Sequence, residues 1–150
     1  MKKFNSQICT SREQSERLLA LGLKKETADC SWMAITKDTK GKEIPPKQQR
    51  WFVRIGTDES AQVCGFERAS FIPAWSLHRI LELLPNEIKI QEESAYLVFG
   101  KQCVGYVFYY EGYDEFSFYV NIDREDMWES IIRCIGWLIK VGYFNKEYLV

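Results

Sequence analysis

The sequence predicts one α+β domain over residues 1–150: an antiparallel sheet ending in a four-strand meander, packed by about three helices on one face. Three observations lead there. A chain of 150 residues has the common size of one domain and can bury roughly 70% of its unfolded surface. Apolar residues recur at intervals of three and four near the start, between Leu77 and Leu84, and again after Asp123. Between Asn86 and Asp123 the interval changes to two, the period of a strand with one face buried.

The first helix opens at Thr10 or Ser11, because Thr10 with Glu13 and Ser11 with Gln14 both have capping-box spacing ahead of Leu18, Leu19 and Leu21. Gly22 stops it, and Leu23 supplies the hydrophobic contact that closes such an end. Trp32, Met33 and Ile35 mark a first strand within 27–36, while Trp51, Val53 and Ile55 alternate with Phe52 and Arg54 in a second ended by Gly56. Between them, the polar run from Lys37 to Gln49, broken by Gly41, Pro45 and Pro46, reads as a long mobile loop. A further strand over 62–66 is left open.

Leu77, Ile80, Leu81 and Leu84 form the stripe of a second helix within 73–84, started either by Pro73 or, as we prefer, by Ser76 as N-cap with Trp75 and Ile80 as a hydrophobic staple. The meander follows: Ile88 and Ile90, Tyr96 to Phe99, Cys103 to Tyr110, then Phe116, Phe118, Val120 and Ile122. Turns are expected at Glu92-Glu93, Gly100-Lys101 and Gly112-Tyr113. Asp123 caps the last helix, with Glu125 and Asp126 in its first turn. Its inner stripe is Met127, Ile131, Ile135 and Leu138, widened by Trp128, Ile132 and Ile139, and Gly142 ends it in a Schellman arrangement of Tyr143 with Leu138.

Composition narrows the function classes. Twenty basic and 21 acidic residues give a net charge of -1, which supplies no long-range field to gather phosphate backbones or anionic lipid. Nucleic-acid binding is therefore disfavoured, its one route being Lys37, Lys40, Lys42, Lys47 and Arg50. The start carries Lys2 and Lys3 but no apolar run behind them, so no signal peptide is expected, and no stretch reaches the ~20 apolar residues of a membrane span. Cys9, Cys30, Cys64, Cys103 and Cys134 are odd in number, scattered and without C-x-x-C spacing, which reads as reduced thiols in a cytoplasm.

No phosphate-cradling glycine motif, H-E-x-x-H or G-x-S-x-G is present, and the sole histidine, His78, leaves no second imidazole for a multi-histidine metal centre. No catalytic residue, metal or cofactor is assigned. Glu92-Glu93 and Asp123, Glu125 and Asp126 have structural explanations as turn and helix-start residues. An enzyme with an unrecognised site, using Cys64 or His78 beside carboxylates, is the alternative reading. The favoured one is a protein-interaction module, since Trp75, Trp137 and Tyr119 all lie off the inferred core stripes and large exposed aromatics mark contact surfaces. Lys40 and Lys42 on the basic loop complete the candidate surface.

Two passages also carry a family resemblance. One runs from Thr10-Ser11-Arg12-Glu13-Gln14-Ser15 through Leu21-Gly22-Leu23 to Thr27-Ala28-Asp29-Cys30. The other runs from Pro73-Ala74-Trp75-Ser76-Leu77 to Leu81-Glu82-Leu83-Leu84-Pro85. With the closing helix and its Trp137-Leu138, they resemble a family of small uncharacterised proteins encoded in phages and mobile elements of gut bacteria of the Bacteroides type. The resemblance implies a bacterial cytoplasmic setting and an accessory role in a phage or mobile element. It implies no activity, cofactor or site residue.

Overall fold

Ser11 and Gly22 delimit the first element as their chemistry requires. Here and below the structure is a computed structural model, which describes residues 7–56, 69–90, 93–102, 105–112 and 127–150. Helix α1 spans Arg12–Ala20. The Ser11 hydroxyl accepts from the Gln14 N–H, and the Gln14 side chain accepts from the Ser11 N–H, a complete capping box. At the other end Gly22, at φ +93°, lets its N–H reach the Leu19 carbonyl and the Leu23 N–H reach that of Leu18. That is the Schellman pattern, which needs a left-handed residue and so favours glycine.

The chain divides into two units, Met1–Arg79 and Ile80–Val150. In the first, β1 (Cys30–Ile35) is the central strand of an antiparallel sheet ordered β2-β1-β3, with β2 at Trp51–Ile55 and β3 at Ala69–Ala74. Met33 lies opposite Phe52 on one side and Phe71 on the other, and Trp32 opposite Val53 and Ile72. Helix α1 lies against β3. The sequence reading missed β3, because Pro73 suggests a helix start. A proline lacks a ladder donor and is tolerated in an edge strand, which is where β3 places it. The expected strand over 62–66 lies outside the described residues.

Helix α2, Leu77–Leu83, begins after Ser76, whose hydroxyl accepts from the Arg79 N–H at 3.1 Å. The N-cap assignment to Ser76 therefore holds. The helix is shorter than its pattern implies, and its buried residues are Ile80 and Leu83, with Leu84 just beyond, while Leu77 and Leu81 are half-buried.

The second unit holds β4 (Glu87–Ile90), β5 (Glu93–Gln102) and β6 (Gly105–Gly112), antiparallel in that order, and α3 (Met127–Val141), which packs on β6. Ile88 faces Ala95 and both are buried, whereas the neighbouring pair Glu87 and Tyr96 is exposed. This is the alternation of a sheet with one wet face. Among the described residues the strands form two three-stranded sheets, one in each unit, rather than one sheet. The fourth meander strand, with Phe116, Phe118, Val120 and Ile122, lies outside the described residues, as do Tyr113 and the Asp123 cap. The expected turn at Gly100-Lys101 is not one: β5 runs through it, pairing Gly100 with Val107 and Gln102 with Gly105. Glu93 is likewise a strand residue, opposite Ile90. Helix α3 buries Trp128, Ile131, Ile132, Cys134, Ile135 and Leu138, and Gly142, at φ +81°, ends it with the Tyr143 N–H on the Leu138 carbonyl.

Candidate interaction surface

Of the residues that the sequence proposes for a contact surface, Trp75 goes to the opposite place: it is 0% exposed. It sits between β3 and α2, so the helical period that puts it off the α2 stripe does not apply to it. Its backbone N–H donates to Thr10 Oγ1 at 3.1 Å and its carbonyl accepts from the Thr10 N–H at 2.9 Å. Its indole Nε1 donates to Thr27 Oγ1 at 2.9 Å, and that hydroxyl in turn donates to the Lys24 carbonyl at 2.7 Å. Next to it, Asp29 accepts from both the N–H and the hydroxyl of Ser76. Arg79 Nε donates to the Thr27 carbonyl at 2.8 Å, and Trp32 Nε1 to the Thr10 carbonyl at 2.8 Å.

These bonds join three stretches distant in the chain, around Thr10, Thr27 to Asp29, and Trp75-Ser76. Their chemistry is that of a clasp. A buried polar group stabilises only when it is paired, and here the Ser76 hydroxyl both donates, to Asp29, and accepts, from Arg79. His78, two residues on, is exposed.

The thiols belong to the interior as well. Cys9, Cys30 and Ala74 form one buried cluster against which Trp32 and Val53 pack. Burial pushes the Cys9 thiol up to about 12, with Cys30 and Asp29 nearby adding to the shift. It pushes Cys30 up to about 11, followed by the charge of Asp29, and Cys134 up to about 12. All three therefore stay protonated at neutral pH and are poor nucleophiles. An aromatic disulfide reagent at pH 8 should leave them unmodified in the folded chain and reach them in urea; prompt labelling of the folded protein at these positions would refute their placement. The sign of the pH dependence follows. The unfolded chain loses these protons near pH 9 and the folded one keeps them, so stability falls as pH rises from about 9 towards 12. Cys64 and Cys103 lie outside the described residues.

Trp137 is half-buried, its ring centroid 6.3 Å from that of Tyr143, and Tyr119 lies outside the described residues. Lys40 and Lys42 are exposed, but their loop is not irregular. The backbones of Lys37 and Glu43 pair in an isolated antiparallel bridge, and the Ile44 N–H donates to the Thr36 carbonyl at 2.7 Å. At the tip, Asp38 Oδ1 accepts from the N–H groups of both Lys40 and Lys42, at 2.8 and 2.9 Å, and Gly41 takes φ +80°. An aspartate that bonds backbone a few residues ahead organises a turn from within. The loop is thus a hairpin that extends β1, followed by a 3-10 turn at Pro46–Gln48.

The first unit exposes Ile8 and Leu21 and, on its sheet, Ile35, Phe52 and Ile55; Ile35 and Phe52 lie towards the end of the sheet that leads into the hairpin, and Ile55 lies at the other end, opposite Cys30. Phe52 is 44% exposed, Ile35 47% and Ile55 87%. Ile35 and Phe52 share one face of the sheet and Ile55 lies on the other, by the strand register. Trp51, next along β2, is partly covered by the Arg12 guanidinium, 4.7 Å from its ring centroid, a cation–π contact that fastens α1 to β2. Sequence reasoning missed Ile35, Phe52 and Ile55 because alternation marks them as strand residues without saying which strand is an edge.

Among the described residues no group of three or more His, Cys, Asp or Glu side chains is placed to hold a metal ion, and no helix is long and apolar enough to cross a membrane. Compared with protein-family models, curated proteins and solved structures, the chain finds no match in any of the three.

Proposed function

We propose that the chain is a non-enzymatic accessory protein of a phage or mobile element, acting in the bacterial cytoplasm as a protein-interaction module. The observation that carries this reading is the exposed pair Ile35 and Phe52, on one face of the sheet towards the end that leads into the hairpin carrying Lys40 and Lys42. A side chain as large as Phe52 left in water on β2 is what a partner buries. Ser76 and Asp29 are hydrogen-bonded to each other beside Trp75, and the Ser76 hydroxyl also accepts from the Arg79 N–H.

The test is capture of a partner from host cells with the full chain and with Phe52→Gln. Because Phe52 is partly exposed, the substitution should shift stability by no more than about 1 kcal/mol. Loss of a stoichiometric partner with the urea midpoint retained supports the reading. Equal capture by both proteins contradicts it.

A further inference from the structure

We propose that the outer edge of β2 takes up an extended, acidic protein segment as an added strand; this rests on the interaction-module reading and names the partner's chemistry. The phase of the strand shows what that edge offers. The Gly56 N–H donates to the Asp29 carbonyl at 2.8 Å, so Gly56 faces β1. Backbone groups alternate sides along a strand, so Arg54 and Phe52 face β1 too, and Trp51, Val53 and Ile55 point their N–H and C=O groups outward. Among the described residues no strand pairs with that side of β2. Natural edges are commonly guarded by lysine, proline or a bulge. β2 reads Trp-Phe-Val-Arg-Ile, with no proline and one charged residue, the half-buried Arg54.

Charge selects the occupant. From Lys37 to Arg50 the chain carries five basic residues, Lys37, Lys40, Lys42, Lys47 and Arg50, all exposed, against two acidic ones, Asp38 and Glu43, an excess of three positive charges at one end of the edge. An acidic segment added to β2 meets this excess as it gains main-chain bonds, with side-chain contacts to Phe52 and Ile55 giving selectivity. A nucleic acid fits less well. Single strands are held by stacking on several aromatic rings, whereas two of the three exposed apolar residues here are isoleucines. The net charge of -1 adds no attraction for phosphates.

The experiment selects a random dodecapeptide display library on the full chain, then follows amide hydrogen exchange with one selected synthetic peptide. The expected winners alternate Asp or Glu with apolar residues. On binding, exchange at Trp51, Val53 and Ile55 slows by about tenfold or more, and Lys40→Glu with Lys42→Glu weakens the peptide by roughly tenfold. Three results overturn the proposal: these amides already protected in the free chain, selected peptides that protect other residues, or a fluorescein-labelled dT12 that binds where no peptide does. A peptide lost on Phe52→Gln that leaves the three amides unprotected sinks the added strand and keeps the interaction module. A library with no enrichment sinks the added strand, and partner capture by Phe52→Gln separately decides the module.

Discussion

Trp75→Ala destabilises the chain by about 3–5 kcal/mol, the range for truncating a buried large aromatic. The value should lie towards the upper end, because the loss is of two kinds. The indole is fully buried, so its removal leaves a cavity bordered by segments that can collapse only by breaking their own hydrogen bonds. Removing Nε1 also takes a donor from Thr27 Oγ1, and an under-satisfied buried oxygen costs about 1–3 kcal/mol. Trp75→Phe separates the two effects, since it keeps most of the apolar volume and loses only the donor. Its midpoint in urea should fall between those of the wild type and the alanine variant. Against a total stability of about 5–15 kcal/mol, the alanine variant stands near the limit of folding at 37 °C. A variant with an unchanged midpoint would show that Trp75 lies at the surface after all.

Ile135→Ala, in the middle of α3, should cost about 2–5 kcal/mol. Ile131, Ile135 and Leu138 are each 0% exposed and follow one another at intervals of four and three along one side of the helix. The deletion falls in the centre of that stripe, where neighbours on both sides hold the backbone in place and limit relaxation. Arg133→Ala is the control on the exposed side, expected within about 0.5 kcal/mol of the wild type. Equal midpoints for the two variants would mean that the helix presents another face to the core.

The caps and stripes were legible because they are local. Ser11 with Gln14, Gly22 with Leu23, Ser76 with Arg79, and Gly142 with Tyr143 each lie within a few residues of each other, and the bonds they make are dictated by helix geometry. What was not legible depends on pairing between distant segments. Pro73 joins a strand because β1 comes alongside with Ser31 opposite it, and Gly100 stays extended because Val107 pairs with it. The division of the strands into two sheets is likewise a choice among partners, which alternation cannot express. Trp75 is the instructive error. Its surroundings come from Thr10 and Thr27, 65 and 48 residues earlier in the chain, so a helical wheel drawn on its neighbours assigned it to solvent. The residues that are exposed, Ile35, Phe52 and Ile55, carry the same alternation as core strands. Only the order β2-β1-β3 makes β2 an edge among the described residues.

The exchange rate of the Trp75 indole N–H, assigned by its absence in Trp75→Phe, tests most directly whether this residue closes the clasp and leaves the exposed Phe52 of β2 as the contact residue. With no exposure and a bond to Thr27 Oγ1, this proton should exchange more slowly than those of the half-buried Trp51 and Trp137, and only through opening of the structure. Exchange at the rate of a free indole, or quenching of Trp75 by acrylamide in the folded state, would contradict the clasp and restore Trp75 to the surface.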